Sequence, residues 1–310
     1  MASHRYLYAG IAVIVLLVVG VAAGLYLTQP SISGTTSSNG GLVQVVAAEN
    51  FWGSLASQLG GTHVNVTSVL SDPNTDPHEY QSNPATARAI SKAQLVIVNG
   101  AGYDTWAQSI IAASNNPNQK VLSVQELVGQ STDANPHFWY NPSYVNTTVR
   151  AVYKYLIAVD PADTSYFHQQ YAALNASLWT SYMSQIVQVK SQFPGTPVAG
   201  TEDIMVYLAE AAGLKVVSPT GFMQAVAEGN DPSAQDLAAF QQLLNGGKSS
   251  VRALLYNVQT ESPVTQSIKA LAVQNGVPIV SITETVSPPN EVFQNWMGGE
   301  VVSLLNTLKS

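Results

Sequence analysis

From Asp163 to Phe193 the chain contains neither Gly nor Pro. Pro161 and Ala162 open this stretch and Pro194-Gly195 close it, which is the punctuation of a helix. About thirty helical residues extend roughly 45 Å at 1.5 Å per residue. That is the length of a whole domain, so the helix is expected to bridge two bodies. The segments on either side must then fold as separate lobes.

Both flanks alternate strand and helix. In the first, Leu42 to Ala48, Val64 to Leu70, Leu95 to Val98 and Lys120 to Ser123 read as buried strands. Asn50 to Leu59, Pro84 to Lys92 and Tyr103 to Ala113 read as helices between them. In the second, strands at Pro197 to Gly200, Lys215 to Ser218, Ala253 to Val258 and Pro278 to Ile282 alternate with helices at Ile204 to Ala212, Ser233 to Leu244 and Val264 to Asn275. A last helix is expected from Asn290 to Leu308. Strict alternation implies parallel sheets. The fold class is therefore α/β: two parallel-sheet α/β lobes joined by one long interlobe helix.

The N-terminus adds a different element. Tyr8 to Leu27 is an uncharged apolar run of about twenty residues, enough to cross a bilayer as an N-terminal membrane-spanning helix. Arg5 precedes it and the next basic residue is Arg88, so the bulk of the chain is expected outside the cytoplasm. Ala22-Ala23-Gly24 leaves a cleaved signal open as the alternative to an anchor. Residues 28–41 are a Ser/Thr/Gly-rich tether. The expected divisions are 1–27 anchor or signal, 28–41 tether, 42–160 first lobe, 161–193 interlobe helix and 194–310 second lobe. Sequons at Asn65, Asn146 and Asn175 carry little weight in a chain this rich in Asn, Ser and Thr.

Composition removes several functions. A net charge of −7 argues against nucleic acid. The absence of Cys excludes thiolate metal sites, a Cys nucleophile and a lipid anchor on an N-terminal cysteine. No Ser-His-Asp set or phosphate-binding Gly loop stands in a recognisable context. Asn99-Gly100-Ala101-Gly102 reads as a strand-to-helix turn.

Ligands of open parallel sheets bind beyond the carboxyl ends of the strands. There the first lobe offers His78, in Asp76-Pro77-His78-Glu79-Tyr80, and His137, in Asn135-Pro136-His137-Phe138-Trp139. The second offers Glu202 after Gly200 and Glu284 after Ile282. Two imidazoles with two carboxylates suit manganese, iron(II) or zinc. Each has a plainer reading too: His78 and His137 as surface residues, Glu202-Asp203 as a helix cap, Glu284 as a loop carboxylate. Asp76 either orients His78 or belongs to the turn, and Glu79 is expected to point outward. His4, His63 and His168 read as surface or core residues.

Five segments resemble the cluster-9 family of ABC-transporter solute-binding proteins. They are DPHEYQSNPATARAISKAQLVIVNGAGYDTW (76–106), NPHFWYNPSYV (135–145), TEDIMVYLAEAAGL (201–214), NDPSAQDLAAF (230–240) and VPIVSITETV (277–286). They occur in the family's order and span nearly all of 42–310. The resemblance implies a receptor, not an enzyme. It implies a monomer that captures a divalent metal outside the cell and delivers it to an ABC permease, and His78, His137, Glu202 and Glu284 as metal ligands. Glu202 stands where zinc members usually carry His and many manganese members Glu. Glu284 departs from the family's usual Asp. Residues 107–134 hold no His, unlike the His-rich loop of many zinc members. Manganese or iron(II) is therefore expected ahead of zinc. The alternatives are a binder of non-metal or chelate ligands (or an adhesin) on the same scaffold, and an extracellular metallohydrolase.

Overall fold

The computed structural model describes residues 41–72, 80–114 and 116–310. The apolar run at Tyr8 to Leu27, most of the tether, Asp76, His78 and Glu79 lie outside the described residues. Among the described residues no helix is long and apolar enough to cross a membrane.

Two four-stranded sheets form, each wholly parallel. The first runs β2-β1-β3-β4, with β1 Val43–Glu49, β2 Val64–Leu70, β3 Leu95–Val98 and β4 Lys120–Ser123. In the central strands nearly every residue is buried, as in LVIV of β3. Helices on both faces cover such strands, so they are apolar throughout rather than alternating. β2 at the edge exposes Asn65 and Thr67 instead. The second sheet runs β6-β5-β7-β8, with β5 Pro197–Gly200, β6 Lys215–Val216, β7 Leu254–Asn257 and β8 Ile279–Ile282. Each observed strand overlaps one expected from the sequence.

The helix Pro84–Lys92 starts at Asn83, whose side chain accepts from the Ala85 and Thr86 amides, with Pro84 supplying the pre-set φ of the first turn. The same Asn-Pro signal starts Pro142–Val159, where Asn141 accepts from Ser143 and Tyr144. That helix and the short Thr220–Ala227 are additions to the elements expected from the sequence.

The long helix is present. It runs as Thr164–Leu178, a π turn Trp179–Met183, and Ser184–Gln192. Its start moves to Thr164 because Pro161–Asp163 form a separate 3₁₀ turn. The final helix, Phe293–Lys309, crosses it at the π turn. There Gly298 lies so close that an added Cβ would sit 1.9 Å from the Ser181 carbonyl oxygen. A π turn displaces carbonyls from the regular ladder, and only a residue without a side chain admits this one.

One apolar core runs through both lobes. Phe51, Trp52, Trp139 and Tyr140 of the first share it with Tyr182 of the long helix and Phe293 and Met297 of the last. Polar contacts also cross: Asn50 exchanges two hydrogen bonds with the Val286 backbone, at 3.2 and 3.0 Å. Residues 42–310 accordingly form one compact unit.

Gly298→Ala should destabilise the protein by about 1–3 kcal/mol through overpacking. Thermal unfolding should shift down by roughly 2–4 °C per kcal/mol. A Tm at or above that of the parent would show that the helix crossing yields without strain.

Candidate metal centre

Three of the four sequence-selected residues lie within the described structure, and all three are sealed from solvent. His137 and Glu284 are 0% exposed and Glu202 is 1%. His78, the fourth, falls outside the described residues. Glu202 follows β5 and Glu284 follows β8, at the carboxyl edge of the second sheet. The two strands are not neighbours, because β7 runs between them.

The last residue of β7 is Asn257. Its Nδ2 donates to Glu202 Oε2 at 3.2 Å and to Glu284 Oε1 at 2.8 Å. Its Oδ1 accepts from the Gln259 amide at 3.0 Å, which fixes the direction of the side-chain amide. The strand order thus places one neutral donor between two buried carboxylates. Their other oxygens are also held: Thr260 Oγ1 donates to Glu202 Oε1, and the Tyr103 hydroxyl to Glu284 Oε2 at 2.8 Å. Gln259 clasps the Glu284 loop, its Oε1 accepting from the Glu284 and Thr285 amides at 2.6 and 2.9 Å. Glu202 is not the helix cap that its sequence position allows. It precedes the 3₁₀ turn Asp203–Met205 but makes no side-chain capping bond.

His137 enters from the first lobe. Its Nδ1 lies 2.7 Å from Asn135 Oδ1 and 3.3 Å from Asp203 Oδ1. Asn135 is oriented by donating its own Nδ2 to the Asp203 carbonyl at 2.7 Å. Both neighbours of Nδ1 are therefore acceptors, so Nδ1 carries the proton and Nε2 the lone pair. Nε2 is buried and meets no hydrogen-bond partner among the described residues. A buried lone pair with nothing to accept from is costly. It fits an electrophile such as a metal ion, and the carboxylate–imidazole arrangement is the one that orients metal-bound histidines. The links to the carboxylates are indirect: Asp203 adjoins Glu202 in the chain, and the Tyr103 ring, whose hydroxyl holds Glu284, lies 6.2 Å from the imidazole. Among the described residues the ligand atoms of His137, Glu202 and Glu284 do not all converge within 4.8 Å of one another. A cleft of about 430 Å³ opens beside His137, Asp203 and Tyr103.

Tyr103 is placed by the Asn99-Gly100-Ala101-Gly102 turn, in which Gly100, Ala101 and Gly102 all have positive φ. A Cβ on Gly100 would also meet Gln125 Cβ at 2.7 Å, so Gly is required there twice over. Asp104 holds the turn by accepting from the Asn99 and Gly100 amides at 2.6 and 2.9 Å. Asn99 in turn donates to the Pro136 carbonyl at 2.8 Å, tying this turn to the His137 loop. Beneath the turn Asp104 faces Glu49, the last residue of β1, and both are fully buried. Burial pushes the Glu49 carboxyl well above its ordinary value, and the Asp104 charge adds to that rise. Burial raises Asp104 as well, against the pull of its backbone donors. The rise is the larger at Glu49.

The sequence points to the ligand candidates but not to their supports. Asn257 is the penultimate residue of an expected strand, Ala253 to Val258, and only the structure makes it the last residue of β7; looking for His and carboxylates past strand ends passes over an amide within one. Asp203 and Asn135 are visible only as neighbours of candidates. Of the histidines set aside, His168 bonds through Nδ1 to the Tyr153 hydroxyl at 2.6 Å and is structural. His63 is half-buried and faces Asp160 and Asp163.

The family model for the periplasmic zinc-uptake complex component A, ZnuA, matches residues 45–306. The chain belongs to this family. The metal ABC transporter substrate-binding lipoprotein FimA of Streptococcus parasanguinis is 22% identical over 280 residues, 83% of this chain and 85% of the relative. The manganese ABC transporter substrate-binding lipoprotein PsaA of Streptococcus pneumoniae is 24% identical, over 66% of this chain and 69% of its own. The periplasmic zinc-binding protein TroA of Treponema pallidum superposes with a TM-score of 0.69 at 19% identity, covering 86% of this chain and 98% of its own. The family's two-lobed α/β fold is thus present here.

The Glu49–Asp104 pair makes a pH-dependent contribution to stability. Glu49 keeps its proton in the fold, so its contribution is complete below the ordinary carboxyl value of 4.5. It is lost as pH rises from there toward the raised folded value. Glu49→Gln donates to Asp104 at every pH. Denaturant unfolding from pH 4 to 8 should therefore show a shallower fall in stability for Glu49→Gln than for the parent. Parallel profiles would mean that Glu49 ionises freely in the fold.

Proposed function

We propose that the protein is the extracytoplasmic metal receptor of an ABC transporter, holding a divalent transition metal between its lobes for import. The observation that carries this reading is a buried imidazole Nε2 with no hydrogen-bond partner among the described residues, linked through Tyr103 and Asp203 to two sealed carboxylates. Family membership supports it, as do relatives named for metal, manganese and zinc binding. His137, Glu202 and Glu284, with His78 from the loop before Pro84, are the proposed ligands.

A dication would neutralise the two buried carboxylates. Asn257, Thr260 and Tyr103 would then hold whichever carboxylate oxygens face away from the ion. The donor set favours manganese or iron(II), since carboxylates are hard ligands, while zinc competes through its greater affinity for almost any such site. The shared apolar core resists a wide hinge opening, so loading would proceed by movement of loops at the cleft. The Tyr8 to Leu27 run would tether the receptor to the membrane in place of the lipid of the relatives named lipoproteins, in a sequence without cysteine.

Metal-stripped protein offered manganese, iron(II) under anaerobic conditions, and zinc should bind one ion tightly in the cleft. His78→Ala, His137→Ala and Glu202→Ala should each weaken it by at least about tenfold. Wild-type affinity in all three variants, or no binding of any of the three ions, would remove the cleft as a metal site. Asn257→Ala leaves the carboxylates without their shared donor and should weaken binding by about 10–100-fold. An unchanged Kd in calorimetry would show that the metal alone organises the pair.

A further inference from the structure

A second set of metal-ligating groups stands apart from the cleft. His63 closes the 3₁₀ turn Gly61–His63 that leads into β2. Asp160 and Asp163 bracket the 3₁₀ turn between the helix Pro142–Val159 and the start of the interlobe helix. His63 Nδ1 lies 3.0 Å from Asp163 Oδ2 and 3.8 Å from Asp160 Oδ2. One ligand atom from each of the three residues lies within 4.8 Å of the others. We propose that His63, Asp160 and Asp163 form a second, solvent-reachable site for a first-row dication, at the opposite end of the first lobe from the cleft.

Position separates the two sites. His63 immediately precedes the first residue of β2, whereas the cleft lies beyond the carboxyl ends of the strands. β2 has seven residues, so at about 3.3 Å per residue the two ends lie roughly 20 Å apart. The proposal therefore draws nothing from the reading of the cleft.

Charge favours a cation. Among the described residues, the ion pairs of Asp160 and Asp163 run only to His63, which is charged only when protonated. A neutral imidazole leaves two full negative charges unmatched by any Lys or Arg. One dication balances both carboxylates and takes the imidazole lone pair. Nitrogen with two carboxylate oxygens suits zinc or manganese, and the imidazole disfavours magnesium and calcium. The three side chains are 28%, 21% and 31% exposed, so water can complete the coordination and the ion can exchange. Neighbouring rings hold the imidazole in place. Those of Tyr166 and Phe167 lie at 4.3 and 5.6 Å, and the Tyr166 hydroxyl accepts from the Thr62 amide at 3.2 Å. A bound ion would join three segments, pinning the first turn of the interlobe helix to the first sheet.

The test is zinc stoichiometry and thermal shift on the metal-stripped full chain, with zinc chloride as the probe and manganese followed by electron paramagnetic resonance. Wild type should bind two equivalents, one tight and one weaker. His63→Ala and Asp163→Asn should each lose the weaker one and the thermal shift that accompanies it. Asp163 makes no side-chain capping bond, so its amide variant keeps the helix start and guards against misfolding of the His63 variant. Glu202→Ala should lose the tight equivalent alone. If both His63→Ala and Asp163→Asn keep every equivalent bound by wild type, the second site is overturned. If wild type binds a single equivalent that these two variants lose and Glu202→Ala keeps, the second site stands and the cleft reading fails.

Discussion

The structure turns on one side-chain amide between two buried carboxylates. Glu202 and Glu284 leave strands that are not adjacent, and the strand between them ends in Asn257. Two carboxylates sealed from water are costly unless they are paired or hydrogen-bonded. The Asn257 amide, with Thr260 and Tyr103, supplies donors to all four oxygens. The acidic pair is thereby held in place, and in the proposed function a dication supplies its countercharge. An acidic residue in place of Asn257 would add a third negative charge and remove the donor.

Everything else at the cleft serves to bring His137 to that pair and to keep its Nε2 lone pair available. The imidazole is pinned by acceptors on its other nitrogen, one from its own loop and one from the second lobe. The loop is tied through Asn99 to a turn that Asp104 closes, and Asp104 rests on Glu49, whose carboxyl burial pushes well above its ordinary value. The chain of support runs from the floor of the first sheet to a contact across the lobes. The shared apolar core beneath makes residues 42–310 one compact unit.

Much of this is legible in the sequence, for physical reasons. Strands such as LVIV are too short and too apolar to be anything but buried strands of a parallel sheet. The run without Gly or Pro from Asp163 to Phe193 leaves no option but a long helix. The rule that ligands sit past strand ends picks out Glu202 and Glu284, and both are buried. What is not legible depends on sheet order. No pattern in the chain says that β7 lies between β5 and β8, so nothing marks Asn257 as the bridge. The π turn at Trp179–Met183 is equally invisible, since its contact with Gly298 of the last helix is set by how distant segments pack. His63 looks idle in the sequence because its partners, Asp160 and Asp163, lie about a hundred residues away in the chain.

Anomalous diffraction from crystals of the metal-stripped protein, reloaded with one equivalent of manganese, would locate the ion directly. A single strong peak is expected within coordination distance of His137 Nε2 and of carboxylate oxygens from both Glu202 and Glu284. A peak confined to any other group of residues, or a peak touching the imidazole but neither carboxylate, would contradict a metal held by the bridged pair.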